Sequence, residues 1–198
     1  MAFEQKKGYN VVNSTKGGNQ GNSNGKNDSR KKNDDKRNSS YTLPEKYKKR
    51  LFLPASFKGI LISGNLDLDT IENAMFYYMN KVNANEGTYT YNEHVITTSK
   101  LRNIMSMVSE VYNTESRSGD VKLCADSISK LQRLRIRIVY EYGRTDVNKE
   151  FRFFCDRFKV LDYLVEVSKE SKQEDFLNYA KYFEALVAYH RFHGGREN

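Results

Sequence analysis

Residues 120–143 of the chain are DVKLCADSISKLQRLRIRIVYEYG, and this stretch decides the fold. It contains no proline, and its apolar residues recur at the three- and four-residue spacing of an α-helix. We expect a helix from Asp120 to Tyr142, ended by Gly143 in a left-handed C-cap conformation. A helix with one apolar side has to pack against other helices, and this side carries Cys124, Ile128, Leu131, Ile138 and Tyr142.

The other side of this helix carries a row of cations. At 100° per residue, Arg133, Arg137 and Arg144 project within about 40° of one another, and Lys130 lies about 20° beyond them. A cationic ridge at helical spacing suits a phosphate backbone, because each cation that meets a phosphate releases condensed counterions. Asp126 lies on the same side, so an ordinary solvated face is the alternative interpretation.

Arg135 projects into the apolar side of the same helix, between Leu131 and Ile138. An arginine is rarely buried without a partner, since removing an unpaired charge from water costs several kcal/mol. Glu184 falls on the apolar side of the last predicted helix. The pattern therefore predicts a buried structural ion pair between Arg135 and Glu184. The alternative is that Arg135 faces another subunit or a ligand.

Helical periodicity also marks four further segments. They are the helix from Asp69 to Val82, the helix after Thr97–Thr98–Ser99 that ends at the loop 114–119, the helix from Val147 to Val167, and the helix that begins at the capping box Ser171–Glu174 and ends at Gly194–Gly195. Short connections favour antiparallel neighbours. The sequence predicts an all-α fold, a compact bundle of about five helices over residues 67–198. An irregular lead-in covers residues 41–66, where Ile60–Leu61–Ile62 is either a short strand or a helical turn.

Residues 1–40 have a different composition. They hold nine Lys/Arg and four Asp/Glu, a net charge of +5, and most of the remainder is Asn, Gly and Ser. Such a stretch buries too little apolar surface to offset the entropy of ordering. We expect a disordered basic tail, either a solvated extension or a flexible arm that gathers polyanions.

The composition excludes several classes of protein. The chain has 198 residues and a net charge of +8, and no apolar run approaches the roughly 18 residues that cross a bilayer. Its first residues lack an apolar signal core, and its two cysteines, Cys124 and Cys155, form no metal-binding pair. We expect a cytoplasmic protein with no membrane contact.

Motifs that would indicate catalysis or a cofactor are also missing from the sequence. There is no phosphate-binding glycine loop, no dinucleotide fingerprint and no nucleophile elbow. His190 and His193 lack the further ligands that a metal site needs. The sequence predicts no catalytic residue, no metal and no cofactor.

Three stretches together resemble a known family. They are ITTSKLRNI at residues 96–104, LRIRIVYEYGR at residues 134–144, and YFEALVAYH at residues 182–190 leading to Gly194–Gly195. Their order and spacing are similar to those of the small helical subunit of type III-A CRISPR effector complexes, the Csm complexes. The resemblance covers residues 96–195.

The resemblance implies a non-catalytic, all-helical protein that acts in antiviral defence. Copies of such a subunit stack along a ribonucleoprotein filament beside the other subunits of the Csm complex. They line the path of the target RNA and support its pairing with the guide RNA, and cleavage belongs to other subunits. The matching positions that imply RNA contact are Lys100, Arg102 and Arg144, with Arg135 a fourth match that its projection places inward.

We therefore expect a bundle that binds the phosphate backbone of RNA through Lys100, Arg102, Lys130, Arg133, Arg137 and Arg144. The main alternative is a basic helical protein–protein adaptor without direct RNA contact. A nuclease with an unfamiliar site and a helix-turn-helix regulator are further alternatives.

Overall fold

The computed structural model describes residues 39–144 and 149–197. The predicted disordered tail falls almost wholly outside these ranges, as does the predicted helix start at Val147. Within them lie five short strands and six helices, and two 3-10 turns cover Glu45–Tyr47 and Phe57–Ile60. The strands are β1 (Tyr41–Thr42), β2 (Leu61–Ile62), β3 (Asn65–Leu66), β4 (Asn80–Asn83) and β5 (Thr88–Tyr91). The helices are α1 (Leu68–Met79), α2 (Thr98–Glu115), α3 (Ala125–Gly143), α4 (Lys149–Arg157), α5 (Val160–Glu170) and α6 (Gln173–Phe192).

The described residues fall into two compact units. The smaller unit contains residues 39–49 and 80–92, and the larger contains residues 50–79 and 93–197. The division of the chain at residues 40 and 66 stays a prediction.

The smaller unit is a three-stranded antiparallel sheet in the order β1–β5–β4. The sequence predicted no sheet here and continued the first helix to Val82, and that boundary is wrong. Val82 pairs with Tyr89 in the β4–β5 hairpin. Gly87 has φ +62° just before β5, a conformation that glycine adopts without steric cost and that the hairpin turn uses.

The larger unit is a helical bundle, so the predicted fold class is confirmed. Helix α6 packs against α1, α2 and α5, while α3 packs against α2, α4 and α5. The inward side of α6 is aromatic and fully buried, which makes this helix the centre of the core. Its buried residues include Phe176, Tyr179, Tyr182, Phe183 and Leu186.

Of the stretch Ile60–Leu61–Ile62, Ile60 ends a 3-10 turn and Leu61–Ile62 form a strand. Leu61–Ile62 pairs antiparallel with Asn65–Leu66 in a small β2–β3 hairpin. The helix predicted to begin at Asp69 begins at Leu68, and Asp67 caps it, because Asp67 Oδ1 accepts a hydrogen bond from the backbone N–H of Thr70 at 3.1 Å. Asp67 Oδ2 also accepts from the Thr70 hydroxyl at 2.6 Å.

Two boundaries of α3 differ from the prediction. The helix begins at Ala125 instead of Asp120, because the backbone of residues 121–123 pairs with residues 171–173 and so cannot coil. Gly143 is the last helical residue and does not have a positive φ, so the predicted left-handed C-cap is wrong.

The predicted fourth helix is two helices, α4 and α5, that break at Phe158–Lys159. Lys159 has φ +48°, and the carbonyls around the break accept hydrogen bonds from buried tyrosines of α6. The hydroxyl of Tyr182 donates to Phe158 O at 2.7 Å, and that of Tyr179 donates to Val160 O at 3.0 Å. Ser171, predicted as a cap, also has a positive φ and makes no such cap for α6.

Candidate nucleic-acid interface

A groove runs between α2 and α3, which lie antiparallel. At one end Lys130 of α3 pairs with Glu110 of α2, with 3.0 Å between Nζ and Oε1. At the other end the groove opens into a cleft of about 450 Å³. The cleft, called here the α2–α3 cleft, is lined by Lys100, Asn103, Ile104 and Met107 of α2, Arg137 and Glu141 of α3, and Phe151 of α4.

Helical spacing explains how α2 contributes to this groove. Lys100, Asn103, Met107 and Glu110 follow one another at intervals of three or four residues, so they form one stripe along the helix. Thr97 fixes the start of α2, since its hydroxyl oxygen accepts a hydrogen bond from the backbone N–H of Lys100 at 3.4 Å. The stripe therefore brings Lys100 into the cleft.

The cationic ridge on α3 is present but largely paired with carboxylates. Glu141 lies 2.9 Å from Arg137 and 3.4 Å from Arg144, and it is the shared counter-ion of both. Lys130 lies 2.9 Å from Asp126 in addition to its contact with Glu110. Hydrogen bonds to these two carboxylates raise the pKa of Lys130, which keeps its positive charge.

Arg133 differs from its three neighbours on the ridge. Its side chain is exposed, and it has no ion pair among the contacts of the described residues. Among the described residues, four cations therefore face three carboxylates, which leaves the ridge with a net charge of +1. An incoming phosphate meets at Arg133 a cation with no ion pair in the described part of the chain, and at Arg137 or Arg144 it has to displace Glu141.

Lys100 and Arg102 lie on different sides of α2, as the roughly 160° between them requires. Lys100 lines the cleft, whereas Arg102 pairs with Glu197 at 3.3 Å. The structure thus brings together two of the sequence-predicted residues, Lys100 and Arg137, and leaves Arg102 away from them. A role for Arg102 in RNA binding would need a second contact surface.

The predicted buried ion pair between Arg135 and Glu184 is wrong. Both side chains are exposed. Arg135 lies beside α5 with Val165 and Lys169, while Glu184 lines a groove of α6 beside Leu66. The physical reason is that the centre of the apolar stripe on α3 is defined by Leu131, Leu134 and Ile138, and Arg135 lies at the edge of that stripe. Replacing Glu184 with Gln is therefore expected to leave stability unchanged.

Sequence reasoning missed five residues of the cleft, which are Asn103, Ile104, Met107, Glu141 and Phe151. The i, i+4 spacing of Arg137 and Glu141 was a signal that the two would pair. The spacing of Asn103 and Met107 from Lys100 was a second signal. No sequence signal indicated Phe151, because its position depends on how α4 packs against α3.

Some further chemistry bears on the choice of function. Among residues 39–144 and 149–197 there is no cluster of three or more His, Cys, Asp and Glu that could hold a metal ion. The same ranges contain no helix with the length and apolarity to cross a membrane. His190 is buried, and its Nε2 lies 2.8 Å from Ile96 O, so its ring links α6 to the segment before α2.

Comparison with known proteins places these features in a family. The family model described as Csm2 Type III-A matches residues 78–196, which include the whole α2–α3 cleft. Curated relatives bear the name CRISPR system Cms protein Csm2. The protein from Enterococcus italicus is 40% identical over 99 residues, which cover 50% of this chain and 68% of the relative.

Two further relatives with that name give the same result. The Streptococcus thermophilus protein is 31% identical over 113 residues, or 57% of this chain and 81% of the relative. The Mycobacterium tuberculosis protein is 30% identical over 97 residues, or 49% of this chain and 74% of the relative. The family match extends from the last residues of α1 to the residues beyond α6, and it confirms the resemblance seen in the three sequence stretches. The chain belongs to the Csm2 family of type III-A CRISPR systems.

Proposed function

We propose that this protein is a non-catalytic, RNA-binding structural subunit that lines the path of the target RNA and supports its pairing with the guide RNA. Membership in the Csm2 family makes the chain a subunit of a type III-A CRISPR complex. To this family membership the proposal adds direct contact with RNA, association with further copies of the same chain and with other Csm subunits, and a cytoplasmic location.

The meeting of Lys100 and Arg137 in the α2–α3 cleft carries the proposal. The two residues come from different helices and different sequence stretches, and they line one cleft of about 450 Å³. Two cations in one cleft suit a phosphate, because a phosphate that displaces Glu141 from Arg137 can accept charge-assisted hydrogen bonds from both. Asn103 adds an amide group that can donate to a sugar hydroxyl or a phosphate oxygen.

The ridge extends this site along α3. Arg133 has no ion pair among the described contacts, and Arg137 and Arg144 share one carboxylate. A phosphate that displaces Glu141 replaces one anion by another, so its net gain is smaller than at an unpaired cation. The arrangement therefore favours several phosphate contacts of moderate strength over a single strong phosphate site.

Contacts of this kind position RNA without reading its sequence. Phosphates are the same at every nucleotide, so the specificity has to come from base pairing with a guide strand. This division suits a subunit that is repeated along a target of arbitrary sequence.

Salt dependence tests the RNA contact directly. The double variant Lys100→Ala, Arg137→Ala removes two phosphate contacts and is expected to reduce the slope of log affinity against log salt by about 1.4 for single-stranded RNA. The measurement is binding of a fluorescent RNA over a salt series. A variant with Arg117→Ala and Lys181→Ala loses the same charge at exposed positions outside the cleft and serves as the control.

Equal slopes for the cleft variant and the wild type would contradict the proposal. An equal reduction of this slope in the cleft variant and in the control would also contradict the proposal, since RNA binding would then depend on net charge alone.

The adaptor without RNA contact remains the second candidate. Three of the four ridge cations are paired with carboxylates, and α3 exposes apolar side chains next to the ridge. The pairing leaves less positive charge for phosphates, and exposed apolar and aromatic side chains are typical of protein interfaces. This candidate predicts that nuclease treatment leaves the association with partner subunits unchanged and that RNA crosslinks to this chain are absent from the assembled complex.

A further inference from the structure

A buried guanidinium nitrogen at the end of α4 has no hydrogen-bond partner among the described residues. Arg157 is the last residue of this helix, and its Nη2 is shielded from solvent. The last carbonyls of α4 carry partial negative charge, but none of them accepts a hydrogen bond from this nitrogen. Buried donors in native proteins are satisfied with few exceptions, and a charged donor is the most costly to leave without an acceptor.

The charge nearest to Arg157 is positive as well. Burial lowers the pKa of Arg157 from its ordinary value, and the nearby charge of Arg50 lowers it further. Asp156 is adjacent in sequence, but its Oδ1 accepts a hydrogen bond from the hydroxyl of Tyr142, on α3, at 2.8 Å. In the part of the chain that the structure describes, no carboxylate forms an ion pair with Arg50 or Arg157. An anion bound at these two arginines would be attracted by both charges.

Helix α1 holds Arg50 in place. Asn73 and Tyr77 are four residues apart on α1, so they lie on the same side of the helix. Asn73 Oδ1 accepts a hydrogen bond from the backbone N–H of Leu51 at 2.8 Å. The guanidinium of Arg50 lies over the ring of Tyr77, 5.1 Å from the ring centroid. Stacking of this kind leaves the N–H groups in the plane of the guanidinium able to donate to a ligand.

Aromatic contacts bring Arg157 to the same side of the bundle. The ring of Tyr78, on α1, stacks on Phe153 of α4 with 5.6 Å between the centroids, and it meets Phe154 edge-on at the same distance. Phe153 and Phe154 precede Arg157 by four and three residues, so all three lie on one side of α4. The side of α4 that carries Arg157 therefore faces α1.

Phe52 adds an exposed aromatic ring beside Arg50. Its side chain is 67% exposed, and the guanidinium of Arg50 lies 5.2 Å from its ring centroid. Nucleotide bases of any identity stack on exposed aromatic rings. A ring next to a pair of arginines therefore suits a ligand that joins a base to a phosphate.

We propose that Arg50 and Arg157 bind the phosphate group of a nucleotide whose base stacks on Phe52. We call this place the Arg50–Arg157 site. A phosphate suits it better than a carboxylate, because its three or more oxygens can accept from both guanidinium groups and its charge can reach −2.

The inference goes beyond the proposed function and does not rest on it. The Arg50–Arg157 site shares no residue with the α2–α3 cleft. Arg50, Phe52 and Tyr77 also precede residues 78–196, which the family model matches, whereas Arg157 lies within them. The complete site is therefore not part of the family match.

Titration calorimetry of the full chain with two probes tests the proposal. The probes are inorganic phosphate and adenosine 5′-monophosphate, each up to about 10 mM at a constant ionic strength set with chloride. We expect the wild type to bind both. Arg50→Gln and Arg157→Gln should each weaken the binding of both probes at least tenfold, because each removes a charge-assisted contact.

Phe52→Ala separates the base from the phosphate. It should weaken the binding of adenosine 5′-monophosphate at least threefold and leave the binding of inorganic phosphate unchanged. Arg117→Gln removes the same charge at an exposed position on the loop after α2 and is the matched control, so it should bind both probes like the wild type.

Thermal unfolding shows that the variants remain folded. Arg157→Gln removes a buried charge that has no ion pair in the described part of the chain, so the variant without ligand should melt no lower than the wild type. Phosphate should raise the melting temperature of the wild type and leave that of Arg157→Gln unchanged, since a ligand stabilises only the protein that binds it.

Competition distinguishes a free nucleotide from RNA as the source of the phosphate. A single-stranded RNA of about ten nucleotides is added to the wild type that holds adenosine 5′-monophosphate. Displacement of the nucleotide assigns the phosphate to RNA, and no displacement assigns it to a free nucleotide. Displacement by a polyglutamate peptide but not by RNA would assign the site to protein carboxylates and overturn the proposal.

Three further results overturn the proposal. They are a wild type that binds neither probe, an equal loss in Arg157→Gln and in Arg117→Gln, and binding that the double variant Lys100→Ala, Arg137→Ala weakens but Arg157→Gln does not. The last result would place the nucleotide in the α2–α3 cleft. Because the titration uses no RNA, its failure is separate from failure of the salt-dependence test.

Discussion

At the residue scale, the contact with His190 explains why position 195, in the segment after α6, is a glycine. Gly195 packs directly on the imidazole of His190, and its backbone N–H donates to His190 O at 2.9 Å. A β-carbon at position 195 would overlap the ring atoms Nδ1 and Cε1 and would lie 2.7 Å from His190 O. The ring in turn contacts Ile96 O at 2.8 Å, so the glycine allows the contact that holds the start of α2.

Gly195→Ala is expected to lower the free energy of unfolding by about 1–3 kcal/mol, because the added methyl group forces the buried imidazole to move. Urea denaturation measures the effect. Gly143→Ala is the matched control, since a β-carbon there meets no atom within 4 Å and the residue is helical. That control should leave stability unchanged or raise it by up to about 1 kcal/mol. Equal effects at both positions would show that the contact with His190 is unimportant.

The pH dependence of stability should report on His190. Burial lowers the pKa of His190 from its ordinary value of 6.5, the hydrogen bond with Ile96 O opposes this shift, and the charge of Arg191 adds to it. The unfolded chain therefore binds more protons than the native protein below about pH 6.5, and stability falls as the pH decreases through this range.

We expect the free energy of unfolding to decrease between about pH 7 and about pH 5, and His190→Gln to flatten this part of the curve. The carboxylates with lowered pKa, Glu115, Glu166 and Glu170, titrate below their ordinary value of 4.5 and act at lower pH. His94→Gln changes an exposed histidine and should keep the slope of the wild type. A slope that His190→Gln leaves intact would argue against this assignment.

At the scale of elements, Glu115 joins three helices. It is the last residue of α2 and is buried. Its Oε1 accepts from the backbone N–H of Cys124 at 3.1 Å, before α3, and its Oε2 accepts from Gln173 Nε2 at 3.2 Å, at the start of α6. Burial opposes the charge, but hydrogen bonds from Ser127, Cys124 and Gln173 outweigh it and keep the pKa of Glu115 below its usual range.

Glu115→Gln should cost about 1–3 kcal/mol of stability, since an amide cannot accept at both positions. Thermal unfolding of this variant is compared with that of Glu110→Gln, an exposed residue of the same helix that should have little effect. The loss should shrink as the pH falls below about 4.5, because the wild-type carboxylate is then protonated as well. An equal effect of the two variants would contradict the role given to Glu115.

The break between α4 and α5 is the element that sequence periodicity could not find. The apolar residues keep their helical spacing through Phe158, so the pattern continues where the helix does not. The tyrosines that donate hydrogen bonds to the carbonyls at the break, Tyr179 and Tyr182, lie 19 and 24 residues further along the chain than their partners, on α6. A local pattern contains no information about such distant partners.

At the scale of the whole molecule, the ridge on α3 should control how the assembled complex retains target RNA. The triple variant Arg133→Glu, Arg137→Glu, Arg144→Glu reverses three cations and also leaves Glu141 among like charges. We expect it to bind single-stranded RNA with a flatter salt dependence and to keep its helical content. Purification of the complex from its native host, followed by sequencing of the bound RNA, measures guide RNA and target RNA separately.

In that experiment the guide RNA and the partner subunits should still co-purify with the triple variant, while the target RNA is reduced. The control is a variant with Arg117, Lys169 and Lys181 changed to Glu, which reverses the same amount of charge elsewhere. Full retention of target RNA by the α3 variant would show that the ridge is not the RNA-binding face.

The sequence by itself determined the helical fold class, the family and the residues that make up the ridge, because helical periodicity and local spacing are properties of neighbouring residues. It also placed Lys100 and Arg102 on different sides of α2 for the same reason. Only the tertiary structure decided that Lys100 meets Arg137, that Glu141 neutralises part of the ridge, and that Arg135 and Glu184 lie on separate exposed surfaces. These outcomes depend on which helices pack together and on how each helix is rotated about its axis. That packing is determined by the burial of side chains over the whole core.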